Sequence, residues 1–486
     1  MIDFMTLTWF HLKLFAQNSY FRTIVFVTTI GYVLMQYVAA NAVHDLGNQT
    51  IWLRAGIIGT WAAGTSAAGV IPYQRAQGTL AYILDTTKGE AISLATLIIP
   101  AACFGLLAFP VAWLTSLVLG VSTTGITWIL GLGVITLWLS VILLDFVVAG
   151  LFVLTPNAML YESLLLIPIL IGAGIYTVPQ RYQMVVEVLG LFLPMATPVK
   201  MILQPNLVTG IDVLQMLILS VVWLIMAHFF VENFFTATTC YWRYGGDLML
   251  KIDLLSLPYF RNWRTFVVSF VITPVLEILM IGLLRAQFSS IAAIKSVVAI
   301  SLMTAVGTLL GSLSALFVND QVRGVALEMA VVSPYSIKYW TSKFTAALIV
   351  ALGQVIITLF LVTILTRDTS WISRAALVLP LLLIYGEIIA FVAIIISWQH
   401  DDPYLTANIL GTVIILLSGV IVPVSLYPKW LAFLTQCLPF SQTMQWFLTG
   451  SGSLFLDSIV AGIWLLLGIS MYHYQIKRVK RHAMIQ

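Results

Sequence analysis

The sequence predicts an all-α polytopic membrane protein, with about twelve transmembrane helices arranged as two parallel six-helix repeats. Three observations carry this. Hydrophobic residues make up 60% of the 486 positions and charged residues 9%, with a mean hydropathy of +1.02, which excludes any large aqueous domain. The apolar residues gather into runs of about 20, the length an α-helix needs to cross a hydrocarbon core. The two halves of the chain also repeat each other at a nearly constant offset.

The first element is the N-terminal stretch at 1–20. It mixes charge with aromatic residues and lacks the short apolar core and small-residue cleavage site of a signal peptide. It is expected to be retained as an amphipathic helix at the membrane interface. Apolar runs follow at roughly 23–42, 52–73, 91–119, 126–150, 158–176 and 208–231, so that 1–236 reads as a first six-span half. A cytoplasmic connector spans 237–263 and ends in LMLKIDLLSLPYF, a second candidate interfacial helix. The second half, 264–486, has runs at roughly 265–284, 297–317, 344–365, 375–398, 405–422 and 453–474. With the N-terminus inside, about two thirds of the lysines and arginines fall on the inner side, the tail Lys477–Arg481 among them. The positive-inside rule then places both termini in the cytoplasm, in what is expected to be a bacterial plasma membrane. Trp9, Trp52, Trp371, Trp398 and Trp430 fall at span ends, where an interfacial belt accounts for them.

The repeat is read position by position. Gly174 and Gly419, Tyr182 and Tyr427, Leu193-Pro194 and Leu438-Pro439, and Asp212 and Asp457 each stand 245 positions apart; Pro179 and Pro423 stand 244 apart and Leu80 and Leu327 247 apart. A sustained, slowly drifting offset is what duplication followed by small loop changes leaves. Because each half has an even number of spans, the copies share an orientation and are related about an axis normal to the membrane.

Between the second and third spans of the second half lies a polar island, Asn319 to Lys343. Val322, Val325, Ala326 and Met329 recur there at helical spacing, with Arg323 and Glu328 off the stripe. Proline disfavours the helical region for the residue before it, so Ser333-Pro334 ends the helix. The expected element, 319–334, is too short to span and should lie at the surface. Its counterpart at 74–88 carries the stripe Ala76, Thr79, Leu80 and Ile83.

At these two islands the chain resembles the type-2 permease family of ATP-binding-cassette transporters, whose loop after the second span reads roughly Arg-x-x-Gly-Thr-Leu-Glu-x-Leu-Leu-x-Ser-Pro. The first copy has Arg75, Gly78, Thr79, Leu80 and Leu84, with Ala81 and Thr87 where Glu and Pro are expected. The second has Leu327, Glu328, Ser333 and Pro334, with Val325 and Ala326 for Gly-Thr and Arg323 one place late. Lys343 is similar to the family's lysine at the start of the third span. A second resemblance lies between the fifth and sixth spans, in Leu417-Ser418-Gly419-Val420, Pro423, Tyr427-Pro428, Trp430 and Leu438-Pro439; the first half keeps Gly174, Pro179, Tyr182 and Leu193-Pro194. Glycine and proline there suit a span that breaks and doubles back near the outer surface. The resemblance implies that the short helices couple to a nucleotide-binding ATPase, through Arg75, Gly78, Thr79, Leu80, Arg323, Leu327, Glu328, Ser333, Pro334 and Lys343. It implies an outer re-entrant segment built from Gly174, Pro179, Tyr182, Pro194, Ser418, Gly419, Pro423, Tyr427 and Pro439. It also implies two halves packed face to face around the pathway of an exporter, and the lack of a charged central ring leans its substrate toward a hydrophobic or amphipathic molecule such as a drug, lipid or peptide.

No Gly-x-x-x-x-Gly-Lys-Ser/Thr string occurs. The chain is therefore read as a non-enzyme without a cofactor of its own, with ATP and Mg on two copies of a separate subunit and no nucleic-acid partner. Asp145, Glu277 and Glu387 fall inside apolar runs, where an isolated charge costs about 2.5 to 3.5 kcal/mol. They are candidate pathway residues, each weighed against pairing within the bundle. Cys103, Cys240 and Cys437 match no metal or disulfide spacing. His228, His400, Asp401 and Asp402 read as a span residue and a solvated turn, and no metal site is assigned. Twelve spans in two halves also describe a secondary transporter of the major facilitator type, whose loop signature is absent here. A non-transporting assembly subunit is the third alternative.

Overall fold

The computed structural model describes residues 2–42, 45–71, 74, 90–123, 127–154, 158–176, 178, 180–234, 249–260, 262–286, 294–398 and 404–483. Among them every regular element is helical, and nine helices are long and apolar enough to cross a membrane. The chain divides into two compact units: Met1–Trp242 with Ala286–Phe288, and Arg243–Arg285 with Ser289–Gln486.

Unit 1 opens with α1 (Ile2–Gln17), which leans on α4 (Glu90–Ala102). Phe15 is turned in against the ring of Phe21 at 4.7 Å, while Met5, Trp9 and Leu14 face outward, as an interfacial helix would place them. Next come α2 (Ser19–Ala42) and α3 (Thr50–Ala68), the latter packed on α2, on α4 and on α5 (Ala108–Val118). Small residues make this closeness feasible: a Cβ on Gly59 would sit 2.0 Å from the Thr29 hydroxyl and 2.7 Å from Ala108. Pro100 within α4 removes a ladder donor, and the chain passes through a 3₁₀ stretch, Cys103–Leu107, before α5. The Thr60 hydroxyl donates to the Gly105 carbonyl at 3.0 Å and satisfies part of that irregular backbone. The unit continues with α6 (Trp128–Leu154), α7 (Ala158–Gly172), the short α8 (Gln180–Gly190) and α9 (Ala196–Leu203), and α10 (Gly210–Phe234).

Unit 2 follows the same plan. Here α11 (Met249–Ser256) leans on the third long helix, as α1 leans on α4. The first span is α12 (Trp263–Val267) and α13 (Thr273–Ala286), joined by a π-helical turn at Val268–Ile272; the wider turn accommodates Pro274, which has no N–H for the ladder. The centre is α14 (Ile294–Val322), packed on α16 (Ile337–Thr366), α17 (Ile372–Ser397), α18 (Leu405–Leu417) and α20 (Ser441–Thr449). Between α14 and α16 lies α15 (Val325–Val332), and α19 (Lys429–Thr435) and α21 (Leu454–Ala483) complete the unit.

Three of the twelve expected spans are not among the nine. One is α3, which is buried nearly all round and rich in Gly, Ala and Thr, so its sequence suits protein neighbours rather than lipid. The other two are α7 and α18, the fifth helix of each unit. The sequence reading ran them to 176 and 422, but they stop at Gly172 and Leu417, after 15 and 13 residues. At about 1.5 Å per residue, α18 is about 20 Å long against a core of about 30 Å.

Candidate functional site

The site is assembled at the end of α14 where α15 begins. Gly324 adopts φ +77°, a left-handed conformation open to glycine at no steric cost, and it turns the chain out of α14 into α15. The Ser336 hydroxyl then accepts from the Tyr339 backbone N–H at 3.3 Å and caps α16. The helix itself is Val325–Val332, shorter than the expected 319–334, because α14 runs on through Val322.

Its inner face is Ala326 and Ala330, both buried, flanked by Val325 and Met329. Three of the four stripe residues named from the sequence thus turn inward; Val322, still in α14, is exposed. Small alanines let the helix press on a floor of large side chains. Ala330 belongs to a cluster with Phe391, Ile395, Tyr472, Ile476 and Val479, against which Trp340, Phe344 and Trp398 pack. Trp340 is the hub: it stacks on Phe317 and Phe344 and meets Phe391 and Tyr472 edge-on, with centroids 5.3 to 6.2 Å away. The Tyr472 hydroxyl donates to the Pro334 carbonyl and accepts from Trp340 Nε1, and Gln321 donates to the Trp398 carbonyl at 3.1 Å. The short helix is thereby fixed to α14, α16, α17 and α21 together.

A second anchor lies beside it. The Lys343 ammonium, on a side chain only 2% exposed, sits 2.7 Å from Asp320 and 3.2 Å from Asp253. The Tyr339 hydroxyl donates to Asp320 at 2.8 Å and the Ser342 hydroxyl to Asp253 at 2.6 Å. One lysine therefore holds two carboxylates, from α14 and α11, at the start of α16. Burial of this kind is stable only when every charge is paired.

The outward face is different. Leu327, Val331 and Val332 are exposed, as are Tyr335 and Ile337 just beyond, with Arg323, Glu328 and Lys338 around them. This is an apolar surface rimmed by both signs of charge.

The residues named from the sequence divide accordingly. Arg323, Leu327, Glu328 and Ser333 lie on the exposed side and Pro334 is tied to Tyr472, whereas Lys343 is interior and acts only through geometry. Arg75, Gly78, Thr79 and Leu80, with the rest of 75–89, lie outside the described residues, as do Pro179 and the His400–Asp402 turn. In the re-entrant segment Gly174 and Gly419 have φ +78° and +77°, the same left-handed turn at the end of each unit's fifth helix. Ending α18 inside an apolar layer leaves carbonyls to satisfy. The Ser418 backbone N–H takes Ile414 at 2.9 Å, its hydroxyl takes Ile415 at 3.0 Å, and the buried Tyr427 hydroxyl takes Leu416 at 2.7 Å. Pro194 and Pro439 are buried, Pro423 is half-buried and Tyr182 lies in α8. Asp145 is buried in unit 1 with a carboxylate oxygen 3.0 Å from where a Cβ on Gly64 would lie; Glu387 is half-buried on α17 and Glu277 half-buried on α13. Asp145 thus belongs to unit 1, and Glu277 and Glu387 to unit 2. Sequence reasoning missed Asp253, Asp320 and Tyr472 as members of the site. No local signal marked the first two, since Asp320 shares its island with Glu328 and Asp253 shares the connector with Asp247.

Among known families, the model of the ABC-2 type transporter membrane domain matches residues 251–450. Residues 251–450 are thus similar to an ABC-2 type transporter membrane domain. The match begins within α11 and ends just after α20, so it includes the Lys343 anchor and the segment after α18, whereas Tyr472, Ile476 and Val479 of the aromatic anchor lie beyond it. It is a match to a membrane domain and not to an ATP-binding one. No curated protein and no solved structure matches the chain.

Proposed function

We propose that this ABC-2 permease is the translocating subunit of an ATP-binding-cassette exporter, moving a hydrophobic or amphipathic molecule with energy supplied by two copies of a separate ATPase subunit. The observation that carries the reading is the two-faced construction of α15. Its inner face is locked to four long helices, and its outer face offers Leu327, Val331 and Val332 to nothing within the described residues. A lever needs both: a grip for the partner and a stiff connection to the spans. Closure of the ATPase subunits on nucleotide then biases the permease between two arrangements by differential binding energy. The apolar character of the long helices supports an amphipathic cargo, and both termini and α15 are assigned to the cytoplasm. The expected coupling helix at 74–88 supplies the second docking contact.

Co-expression with candidate ATPase subunits tests this. The complex is expected to copurify, and Leu327→Asp with Val331→Asp is expected to abolish both copurification and substrate-stimulated ATP hydrolysis. Transport driven by an ion gradient with no nucleotide would instead establish the facilitator-type alternative.

A further inference from the structure

A cavity of about 220 Å³ opens at the end of α14 opposite α15. Its walls come from the first turn of α14 (Lys295, Ser296), from the segment after α18 (Ser425) and from α20 (Gln445). What it can take depends on which of its polar groups have a hydrogen to offer. Ser418 and Ser441, also in the wall, donate to the carbonyls of Ile415 and Thr435, each at 3.0 Å, and are committed. Ser296 is only 2% exposed, and its hydroxyl makes no hydrogen bond to a described residue. The Lys295 ammonium, the Ser425 hydroxyl and the Gln445 amide are likewise free of hydrogen bonds within the described residues. Four donors, one of them a cation, thus converge on a cavity whose described lining has no carboxylate.

Lys295 and Ser296 lie at the start of the described part of α14. Asp368, half-buried between α16 and α17, is held below the usual carboxylate range chiefly by the Ser370 backbone N–H, with Lys295 contributing last.

We propose that this cavity binds an oxyanion, a phosphate or carboxylate group, carried either by a lipid headgroup or by a solute. Lys295 supplies the charge, and Ser296, Ser425 and Gln445 supply the directed hydrogen bonds. The proposal is independent of the exporter reading, since binding is measured without nucleotide or ATPase.

The full chain in phosphatidylcholine nanodiscs provides the test, in two arms. Inorganic phosphate is titrated in one, with tryptophan fluorescence and thermal unfolding as readouts; phosphatidylglycerol retention by native mass spectrometry is measured in the other. Saturable binding is expected in at least one arm, the phosphate arm indicating a solute and the lipid arm a headgroup. Lys295→Gln is expected to weaken it by about tenfold or more, Lys295→Arg to retain it, and Asp368→Asn to tighten it. Should Lys295→Gln not fold, Gln445→Leu on the facing wall reads the same loss. No binding in either arm overturns the proposal, as does binding that neither Lys295→Gln nor Gln445→Leu changes.

Discussion

Lys343 shows how much one buried residue can decide. Removing a partner from a buried ion pair costs about 3 to 5 kcal/mol, because the opposing charge is left without compensation. Here the lysine faces two carboxylates, so the three variants should not be equal. Lys343→Met strands both acids and is expected to lower the unfolding temperature most. Either Asp→Asn change leaves a one-to-one pair; Asp320→Asn removes the charge of the closer contact and is expected to rank second, and Asp253→Asn to be mildest. Equal losses across the three would contradict the pairing. The two left-handed glycines make a similar contrast. Alanine at either carries the penalty of positive φ, about 1 to 2 kcal/mol, but a Cβ on Gly419 would also meet Val424 at 2.6 Å, whereas one on Gly174 would meet nothing within 4 Å. Thermal unfolding should therefore rank Gly419→Ala as the more damaging, with Gly174→Ala close to the bare φ penalty.

At the scale of elements, the claim is that the two faces of α15 have separate duties. Val331→Asp is expected to leave the unfolding temperature unchanged and to weaken partner binding. Ala330→Leu should do the reverse at first instance, since overpacking a site 1% exposed costs about 1 to 3 kcal/mol; the thermal transition falls and coupling follows. Finding both variants equally unstable would remove the distinction. The position of α15 was legible in the sequence because Ser333-Pro334 marks its end and Val325, Ala326 and Met329 mark its inner face. Its start was not, because the turn at Gly324 can be told from a continued helix only by its φ. The broken fifth helices were legible as Gly-Pro clusters, but their length was not: apolar residues continue past Gly172 and Leu417 into the turn, and hydropathy is blind to where a ladder stops. Partners for Lys343 lie 23 and 90 positions away, beyond any local pattern, and only the packing of α11 on α16 brings them in. In the first half the coupling loop falls among residues whose structure is not described, so Arg75 to Leu80 rest on sequence alone.

Across the whole molecule the two units repeat a plan. A leaning helix precedes the first span in each, a central second helix follows, and the fifth is short and ends in a left-handed glycine. An aspartate, Asp212 or Asp457, sits in the first turn of the sixth. Each makes local bonds, Asp212 with Lys200 and Thr209 and Asp457 with the Thr443 backbone. The proposed duplication of the coupling segment predicts two ATPase contacts per chain, so the purified complex should contain ATPase and permease at two to one; a one-to-one complex would leave the segment 74–88 without its proposed duty. The central claim is that the outer face of α15 meets that ATPase in the cytoplasm. With the three native cysteines replaced, Val332→Cys is expected to cross-link to the ATPase subunit and to resist a membrane-impermeant maleimide applied to intact cells. Labelling of that position from outside the cell, with no cross-link during turnover, would contradict the account.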